Sequence, residues 1–382
     1  MTTANRIRTD WKLFGAILLI MTFGLVMVYS ASSIVSEVLY KKETWTFAVK
    51  QLIAAIVGLL LFVLLKRIDY RNLKHPIWAF MPLGLVVILL IGVIFADPAA
   101  HRWYRYLGLQ LQPSELAKPA LVVFLAYFVA RRSDSINDRH TLGPAAIVVA
   151  VIVGLVGFGD LGTAAILLVP AVVIFIVAGI EKRYFYVSMF LAAVLAAGAI
   201  YQKPYRLLRV LTFVGITENE IQTNPRLQFL GPMLAESNAH RDADHQPKQA
   251  KIAVGRGYLV GTGIGNGNQK MGFLPEAHTD FIFGVVGEEV GLIGCVLLLM
   301  LYLFIFWRGF RLYWITPDTF GKYLALGAVT LFTAQALFNM SVVIGLAPTK
   351  GIPLPLVSYG GSALVCTLLT LGLLMSVSER SN

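Results

Sequence analysis

The sequence predicts an all-α polytopic membrane protein with about ten transmembrane helices and a large extracytoplasmic loop between helices 7 and 8. Composition is the first reason: 57% of the 382 residues are hydrophobic and only 14% are charged, with a mean hydropathy of +0.72. Soluble domains carry roughly 25% charged residues. The second reason is that long apolar runs recur along the whole chain. We therefore expect one integral membrane domain over residues 1–382.

Ten stretches have the length and apolar character of membrane spans, for which about 20 residues are needed. They are residues 13–33, 48–66, 77–95, 114–131, 143–158, 162–180, 184–201, 281–307, 322–346 and 356–376. The fifth and sixth are joined by the short, glycine-rich GFGDLGT (157–163). This joint leaves open whether they are two spans or one broken helix.

Two features of the composition exclude other classes of site. Cys295 and Cys366 lie inside apolar segments, which favours small buried hydrophobic residues over a disulfide or a metal site. The net charge of +11 suggests nucleic-acid binding. However, the Lys and Arg residues are spread over many short loops, without a basic stripe interleaved with aromatic residues. That distribution excludes a nucleic-acid partner.

The distribution of Lys and Arg also predicts the orientation in the membrane. If the N-terminus is cytoplasmic, the inner loops hold roughly twice as many Lys and Arg residues as the short outer loops. Both termini are then cytoplasmic, and the loop 202–280 is extracytoplasmic. The polar, Gly- and Pro-rich segments also fall on the outer side, so we expect any chemistry to take place there.

Asp280 stands where the polar loop turns into the apolar eighth span, with His278 beside it. Partial burial raises the pKa of a carboxyl and suits it to accept a proton near neutral pH. From the residues alone, a catalytic base and an ordinary acid at a helix N-terminus are equally good interpretations. Glu288 and Glu289 lie two turns further on, where acids are costly, and a buried ion pair explains them most simply.

Other polar residues on the outer side are candidates for supporting roles. Glu115 and Lys118 share one face at the start of the fourth span, as a cap or as a functional pair. The segment PTKGIPLPLVSYGG (348–361) cannot be regular helix, so it must line a cavity or pack on protein. We expect Lys350 and Ser358 to project into that cavity, although Lys350 also fits an interfacial lysine.

Two stretches of the long loop have sequence patterns that predict local structure. Arg206 and Arg209 sit among apolar residues in 201–215, which suggests an amphipathic helix on the outer surface. The glycines of GRGYLVGTGIGNGN (255–268) favour flexible turns before the eighth span. They also suit the approach of backbone N–H groups to a lipid phosphate.

Four motifs together resemble the SEDS family, the shape, elongation, division and sporulation proteins that include FtsW and RodA. They are FLPEAHTDFIFGVVGEE (273–289), PTKGIPLPLVSYGG (348–361), QPSELAK (112–118) and DLGTA (160–164). The similarity covers almost the whole chain. The family has a ten-span fold with a large outer loop between spans seven and eight, which agrees with the predicted topology.

The resemblance implies a peptidoglycan glycosyltransferase that polymerises lipid II on the outer face of the bacterial cytoplasmic membrane. It makes the aspartate of the HTD motif, here Asp280, the essential catalytic residue and the general base of an inverting transfer. Lys350, Arg206, Arg209 or a divalent Mg or Mn ion would balance the leaving pyrophosphate. No ligand spacing in the sequence demands a metal. The implied partners are a class B penicillin-binding protein and other divisome membrane proteins.

Three alternatives stay open at this point. The residues PTKG (348–351) favour the division type of the family over the elongation type typified by RodA. A flippase for lipid-linked precursors would also need many spans, although it would need polar groups along the whole membrane depth. A scaffold for division proteins would need no acid at position 280.

Overall fold

The computed structural model describes residues 9–38, 41, 43–97, 100–106, 109–202, 204–216, 240–270 and 277–381. Within these ranges the chain forms twelve α-helices, two short 3₁₀ helices and one small β-hairpin. The expected all-α membrane fold is confirmed. Much of the predicted loop 202–280 lies outside the described residues, including 217–239 and 271–276, so Glu276 and the beginning of FLPEAHTD are not described.

The helices follow the predicted spans closely. They are α1 (Trp11–Val38), α2 (Thr46–Arg67), α3 (Pro76–Ala96), α4 (Pro113–Arg132), α5 (Arg139–Gly159), α6 (Leu161–Val177), α7 (Lys182–Tyr201), α8 (Pro204–Val214), α9 (His240–Arg256), α10 (Ile282–Ile315), α11 (Thr319–Ile344) and α12 (Gly361–Arg380). The 3₁₀ helices are Tyr70–Lys74 and Ser133–Ser135, and the hairpin pairs β1 (Tyr104–Tyr106) with β2 (Leu109–Leu111) in antiparallel register.

Nine described helices are long and apolar enough to cross a membrane, and α6 is a shorter apolar helix of 17 residues. This agrees with the expectation of about ten spans. The largest shift in boundary is at α10, which extends beyond the predicted 281–307, and α12 begins five residues later than predicted. The later start of α12 has a clear cause, because the proline-rich segment before it is not helical.

The joint between α5 and α6 separates two helices. Asp160 is the N-cap of α6, and one of its carboxylate oxygens accepts hydrogen bonds from the N–H groups of Gly162 (2.9 Å) and Thr163 (3.3 Å). Such a side-chain cap satisfies donors that the first turn of a helix leaves without partners. Because α5 and α6 also pack against each other, they are two helices side by side and not one broken helix.

Helices α4, α11 and α12 form the centre of the bundle, since most of the residues in each are buried. Helix α10 packs along α11, and α2 packs along α12. By contrast α7, whose residues are all described, has no buried residue and turns its apolar side chains outward. The polar residues of α4 and α11 consequently lie inside protein, whereas α7 is suited to contact lipid.

Two helices belong to the predicted extracytoplasmic loop. Helix α8 matches the amphipathic helix expected over 201–215. Helix α9 was not predicted, because its sequence is polar and contains Pro247. Its buried face is formed by small residues, Ala250 and Ala253, and the helix packs against α10. Tertiary contact thus stabilises a helix that local propensity does not favour.

Candidate active site

Asp280 lies in the turn immediately before α10, and a side chain of α11 holds its backbone oxygen. The Nδ2 of Asn339 on α11 donates to the backbone oxygen of Asp280 and to that of Ile352, at 2.7 Å in each case. One amide side chain thus joins the HTD turn to the proline-rich segment 348–361. This arrangement holds the half-buried Asp280 carboxylate at the edge of a small cavity.

The cavity has a volume of about 150 Å³ and contains one carboxylate among several cationic side chains. Its lining residues are Arg102, Arg209, Gln246, Asp280, Phe281, Lys350 and Gly351. They come from parts of the chain up to 249 residues apart in sequence, so only the folded bundle brings them together. The three cationic side chains suit the cavity to an anionic ligand, and the carboxylate can accept a proton from that ligand.

Gly351 provides the surface on which the Asp280 carboxylate rests. A Cβ atom built at this glycine would overlap the Oδ2 atom of Asp280. The glycine of PTKG is therefore needed for close approach of the acid to the backbone, not only for a turn. It places the carboxylate directly beside Lys350.

Lys350 is held by the carboxylate of Asp160. Its Nζ lies 3.1 Å from Asp160, and the guanidinium of Arg102 lies 3.4 Å from the same side chain. The Lys350 stem crosses Gly162, where a Cβ would come within 2.5 Å of it. The DLGT motif thus positions Lys350 in two ways. Asp160 attracts its ammonium group, and Gly162 leaves room for its aliphatic stem.

The charge state of Asp160 follows from these neighbours. Burial raises the pKa of the Asp160 carboxyl, but the Lys350 ammonium and the Arg102 guanidinium outweigh burial and hold this pKa below its usual value. Asp160 therefore stays ionised at neutral pH. It partly neutralises the two cations, and it fixes where they stand.

The proline-rich segment is stabilised by side chains of the central helices. Its backbone oxygens accept from Asn339 at Ile352, from Gln335 at Pro353 (2.8 Å) and from Tyr302 at Pro355 (2.5 Å). These bonds replace the internal hydrogen bonds that a helix would supply at membrane depth. The expectation that the segment packs on protein is confirmed.

Glu115 and Lys118 form a buried ion pair of 2.6 Å, and Lys118 also donates to the Oε1 of Gln335 at 2.8 Å. Because Gln335 holds the Pro353 carbonyl, the pair supports the proline-rich segment through one intermediate. Neither residue lines the cavity that contains Asp280. Their supporting role is thus indirect.

Ser358 and His278 also lie beside the site and not in the cavity lining. Instead of projecting into the cavity, the Ser358 hydroxyl accepts from the Leu354 N–H (2.7 Å) and donates to the Thr279 oxygen (2.5 Å). The ring of His278 is buried against Phe47 and Tyr359, at centroid distances of 5.1 and 5.6 Å. Both residues anchor the HTD turn to its neighbours.

The two arginines predicted on the amphipathic helix have different positions. Arg206 is buried, and its guanidinium donates to the backbone oxygens of Gly157, Phe158 and Ala199. It therefore binds the ends of α5 and α7 and does not line the cavity. Arg209, almost one turn later, does line it. Of this predicted pair, only Arg209 is placed to meet a ligand.

Comparison with known proteins supports a family assignment. Residues 10–382 match the sequence model of the FtsW, RodA and SpoVE cell cycle proteins. A probable peptidoglycan glycosyltransferase FtsW from Geobacter metallireducens is 38% identical over 363 residues, covering 94% of this chain and 91% of the relative. Stage V sporulation protein E of Bacillus subtilis is 32% identical over 385 residues, covering 99% of this chain and 99% of the relative.

The solved structures agree with these sequence matches. A chain from a peptidoglycan synthase complex, studied for the coordination of polymerization and crosslinking, superposes with a TM-score of 0.72 at 28% identity. The superposition covers 98% of this chain and 99% of that one. The rod shape determining protein RodA of Thermus thermophilus gives a TM-score of 0.66 at 26% identity, covering 98% and 97%. The chain belongs to the SEDS family.

Several residues of this SEDS site could not be found from the sequence. Arg102 lies between the third and fourth predicted spans and Gln246 in the predicted loop 202–280, but no motif singles them out. Asp160 belongs to the DLGTA motif and caps α6, yet the motif does not reveal Lys350 or Arg102 as its partners. Charge alone is a weak signal, because the outer loops contain other Arg and Lys residues.

The described residues contain no group of three or more His, Cys, Asp or Glu side chains that could hold a metal ion. Cys295 and Cys366 are both free and buried, which confirms the prediction for them. A divalent ion that enters together with a pyrophosphate substrate would need fewer protein ligands. Metal dependence therefore stays a prediction.

Proposed function

We propose that this chain is a peptidoglycan glycosyltransferase that polymerises lipid II, with Asp280 as its general base. The observation that carries the proposal is the cavity in which the Asp280 carboxylate stands beside Lys350, Arg102 and Arg209. Lipid II carries a pyrophosphate and sugar hydroxyls, so a site for it needs cations and a proton acceptor together. The relatives named as peptidoglycan glycosyltransferases and the synthase complex support the same reaction.

In the proposed reaction Asp280 takes the proton from the 4-hydroxyl of the acceptor's GlcNAc. That oxygen attacks C1 of the donor's MurNAc, and a new glycosidic bond forms as the C1–O bond to undecaprenyl pyrophosphate breaks. The leaving pyrophosphate keeps the bonding electrons. Attack from the face opposite to the leaving group inverts the configuration at C1.

Lys350, Arg102 and Arg209 are the groups we assign to the leaving pyrophosphate. Cations already in position stabilise charge as it develops without reorganisation at the moment of reaction. Asp160 holds two of them, so their positions are set before the substrate arrives. A divalent ion bound to the pyrophosphate would add to these charges, and chelation of divalent ions in the assay tests that addition.

A cavity of about 150 Å³ is small compared with the roughly 300–1,000 Å³ typical of ligand pockets. It has room for the reacting groups but not for two disaccharides. The remaining sugars and peptides must therefore lie along the surface outside it, and the hydrocarbon chains must remain in the bilayer.

The proposed setting is the bacterial cytoplasmic membrane, with both termini cytoplasmic and the Asp280 cavity on the outer face. The Lys and Arg distribution of the loops supports this orientation. We further propose a class B penicillin-binding protein as the partner that crosslinks the new glycan, with other divisome membrane proteins around it. The PTKG residues and the FtsW names of the relatives favour a role in division.

The decisive experiment is polymerisation of lipid II by the purified protein with its transpeptidase partner, for wild type and Asp280→Asn. We expect the variant to lose at least about 100-fold in rate, the lower end of what general-base catalysis contributes. Asp138→Asn is the matched control. Asp138 precedes α5 at the opposite end of the bundle, and its side chain makes no capping hydrogen bond.

Equal glycan polymer from wild type and Asp280→Asn would show that Asp280 is not the base. If neither protein makes polymer while both move lipid II across liposomes, the flippase alternative is correct. If both proteins neither polymerise lipid II nor move it across liposomes, but still bind division proteins, the chain acts as a scaffold.

A further inference from the structure

The glycine-rich segment after α9, residues 257–270, pairs its backbone with α10 in the membrane region. The N–H of Thr262 donates to the Glu288 oxygen and that of Gly263 to the Glu289 oxygen, both at 3.0 Å. In the other direction, the N–H groups of Leu292 and Ile293 donate to the oxygens of Tyr258 and Leu259, at 2.9 and 3.1 Å. These bonds fix the height of the segment along α10.

A break in α10 makes this pairing possible. Gly291 has φ +71° and ψ −173°, so the helix is interrupted there and the N–H groups that follow can donate to oxygens outside the helix. The loop approaches so closely that a Cβ at Gly257 would overlap the Gly287 oxygen, and one at Gly261 would overlap the Glu289 oxygen. Gly257 and Gly261 are therefore required for contact between the two backbones.

Glu288 and Glu289 bind the second part of the same segment, residues 265–270. The Glu288 carboxylate accepts from the N–H groups of Asn268 (2.9 Å) and Gln269 (3.1 Å). Glu289 accepts from the Gly265 N–H (3.1 Å) and pairs with the Lys270 ammonium (2.6 Å). The anionic groups bound by these N–H groups are thus the carboxylates of Glu288 and Glu289. The interpretation of these N–H groups as a site for a lipid phosphate is wrong.

The height of the segment can be measured along α10. Leu292 and Ile293 are 54% and 53% exposed and belong to the outward apolar surface of a membrane-spanning helix. Trp307, fifteen residues later on the same helix, is also exposed. At 1.5 Å per residue, Leu292 and Trp307 are about 22 Å apart along α10, which is less than the roughly 30 Å hydrocarbon thickness of a bilayer. Both positions can therefore lie within the hydrocarbon region of one membrane.

The tip of the segment presents apolar side chains at that level. Tyr258, Leu259 and Val260 are 84%, 62% and 76% exposed. In water, three such residues in a row would be costly, whereas at a bilayer surface they gain hydrocarbon contact. Arg256, in the last turn of α9, is also exposed and can extend its guanidinium to the headgroup phosphates.

We propose that residues 256–264 form a re-entrant anchor that inserts into the phospholipid leaflet on the Asp280 side of the membrane. The occupant of this apolar tip is the acyl-chain region of that leaflet, because hydrogen bonds tie the tip to lipid-facing residues of α10. Glu288, Glu289 and Lys270 hold the anchor from the protein side. The proposal does not depend on which reaction the Asp280 cavity performs.

The anchor also connects the membrane to the candidate active site. Helix α9 ends at Arg256, and its residue Gln246 lines the Asp280 cavity ten residues earlier, about 15 Å along the helix. A helix anchored in the leaflet at one end therefore positions Gln246 at the other. This gives a physical reason for a polar helix in this loop.

The test places nitroxide spin labels on single cysteines in the full chain, reconstituted in vesicles of phosphatidylcholine and phosphatidylglycerol. Tyr258→Cys and Val260→Cys are made in a Cys295→Ala/Cys366→Ala background, with Lys248→Cys as the control. Lys248 lies on the same helix α9, is exposed, and is two turns nearer to the cavity end. Relaxation by oxygen reports hydrocarbon, and relaxation by a water-soluble nickel chelate reports water.

We expect labels at positions 258 and 260 to be relaxed several-fold more by oxygen than by the nickel chelate, and the label at 248 to show the reverse. Unchanged size-exclusion profiles would show that each labelled chain is folded. Nickel-dominated relaxation at both tip positions would overturn the proposal. Protection of the tip from both reagents would also overturn it, because a protein partner and not lipid would then cover these residues.

Discussion

Asp280 and the Glu288–Glu289 pair lie within ten residues of each other, yet their surroundings are opposite. Asp280 is half-buried at the edge of a cavity that it shares with three cations. Glu288 and Glu289 are almost completely buried and are bound by backbone N–H groups, Ser30 and Lys270. The first carboxylate is placed for a ligand, whereas the other two are used by the fold itself.

An acid at or in an apolar helix thus has two different explanations, and the groups that surround its carboxylate decide between them. A carboxylate with enough donors from its own chain is stabilised where it stands, and its loss should cost stability. A carboxylate that faces cations across a cavity is available to a substrate, and its loss should cost activity.

The largest effect on stability is expected from Lys270→Met, because it leaves the Glu289 carboxylate buried without its cation. Breaking a buried pair from one side costs about 3–5 kcal/mol. Thermal unfolding in detergent should show this loss, and Lys270→Met/Glu289→Gln should recover part of it. A stability equal to that of the wild type would show that the pair does not hold the glycine-rich segment.

Gly351→Ala should act on activity instead. The added methyl group would displace the Asp280 carboxylate from the surface on which it rests, so we expect lipid II polymerisation to fall about tenfold or more. Unfolding should change little. Gly154→Ala is the matched control, because nothing lies within 4 Å of a Cβ built at Gly154. Full activity of Gly351→Ala would argue against Asp280 as the base.

Arg209 and Arg206 offer the same contrast on one helix. Arg209→Gln removes a cation from the cavity and should reduce polymerisation about tenfold with little change in the unfolding temperature. Arg206→Gln removes three hydrogen bonds to backbone oxygens, so it should lower the unfolding temperature. If the two variants exchanged these effects, the assignment of Arg209 to the substrate would be wrong.

The smallest effect is expected for Asp160 and depends on pH. Because Lys350 and Arg102 hold its pKa in the folded protein below the unfolded value of about 3.9, the ionised Asp160 stabilises the fold above that pH. This contribution is lost as the pH falls through the lowered pKa. The stability difference between wild type and Asp160→Asn should thus be constant from pH 5 to 7 and shrink below about pH 4. A difference that grows towards acid pH would contradict the assigned sign.

The sequence by itself determined the membrane class, the approximate spans and the candidate Asp280. Apolar length is a local property that a bilayer translates directly into helices, and the Lys and Arg distribution predicts the orientation. The HTD, PTKG and DLGT motifs could also be found by inspection. The amphipathic helix of Arg206 and Arg209 was predicted as well, although not the different partners of the two arginines.

Only the tertiary structure decided which residues meet. Lys350 pairs with Asp160 from 190 residues earlier, Arg102 and Gln246 join Asp280 from separate segments, and the glycine-rich segment binds Glu288 and Glu289. Each of these contacts depends on how the helices pack, which hydropathy does not report. The physical reason is that charge, hydrogen bonding and close approach act over a few ångströms in space, whatever the separation in sequence.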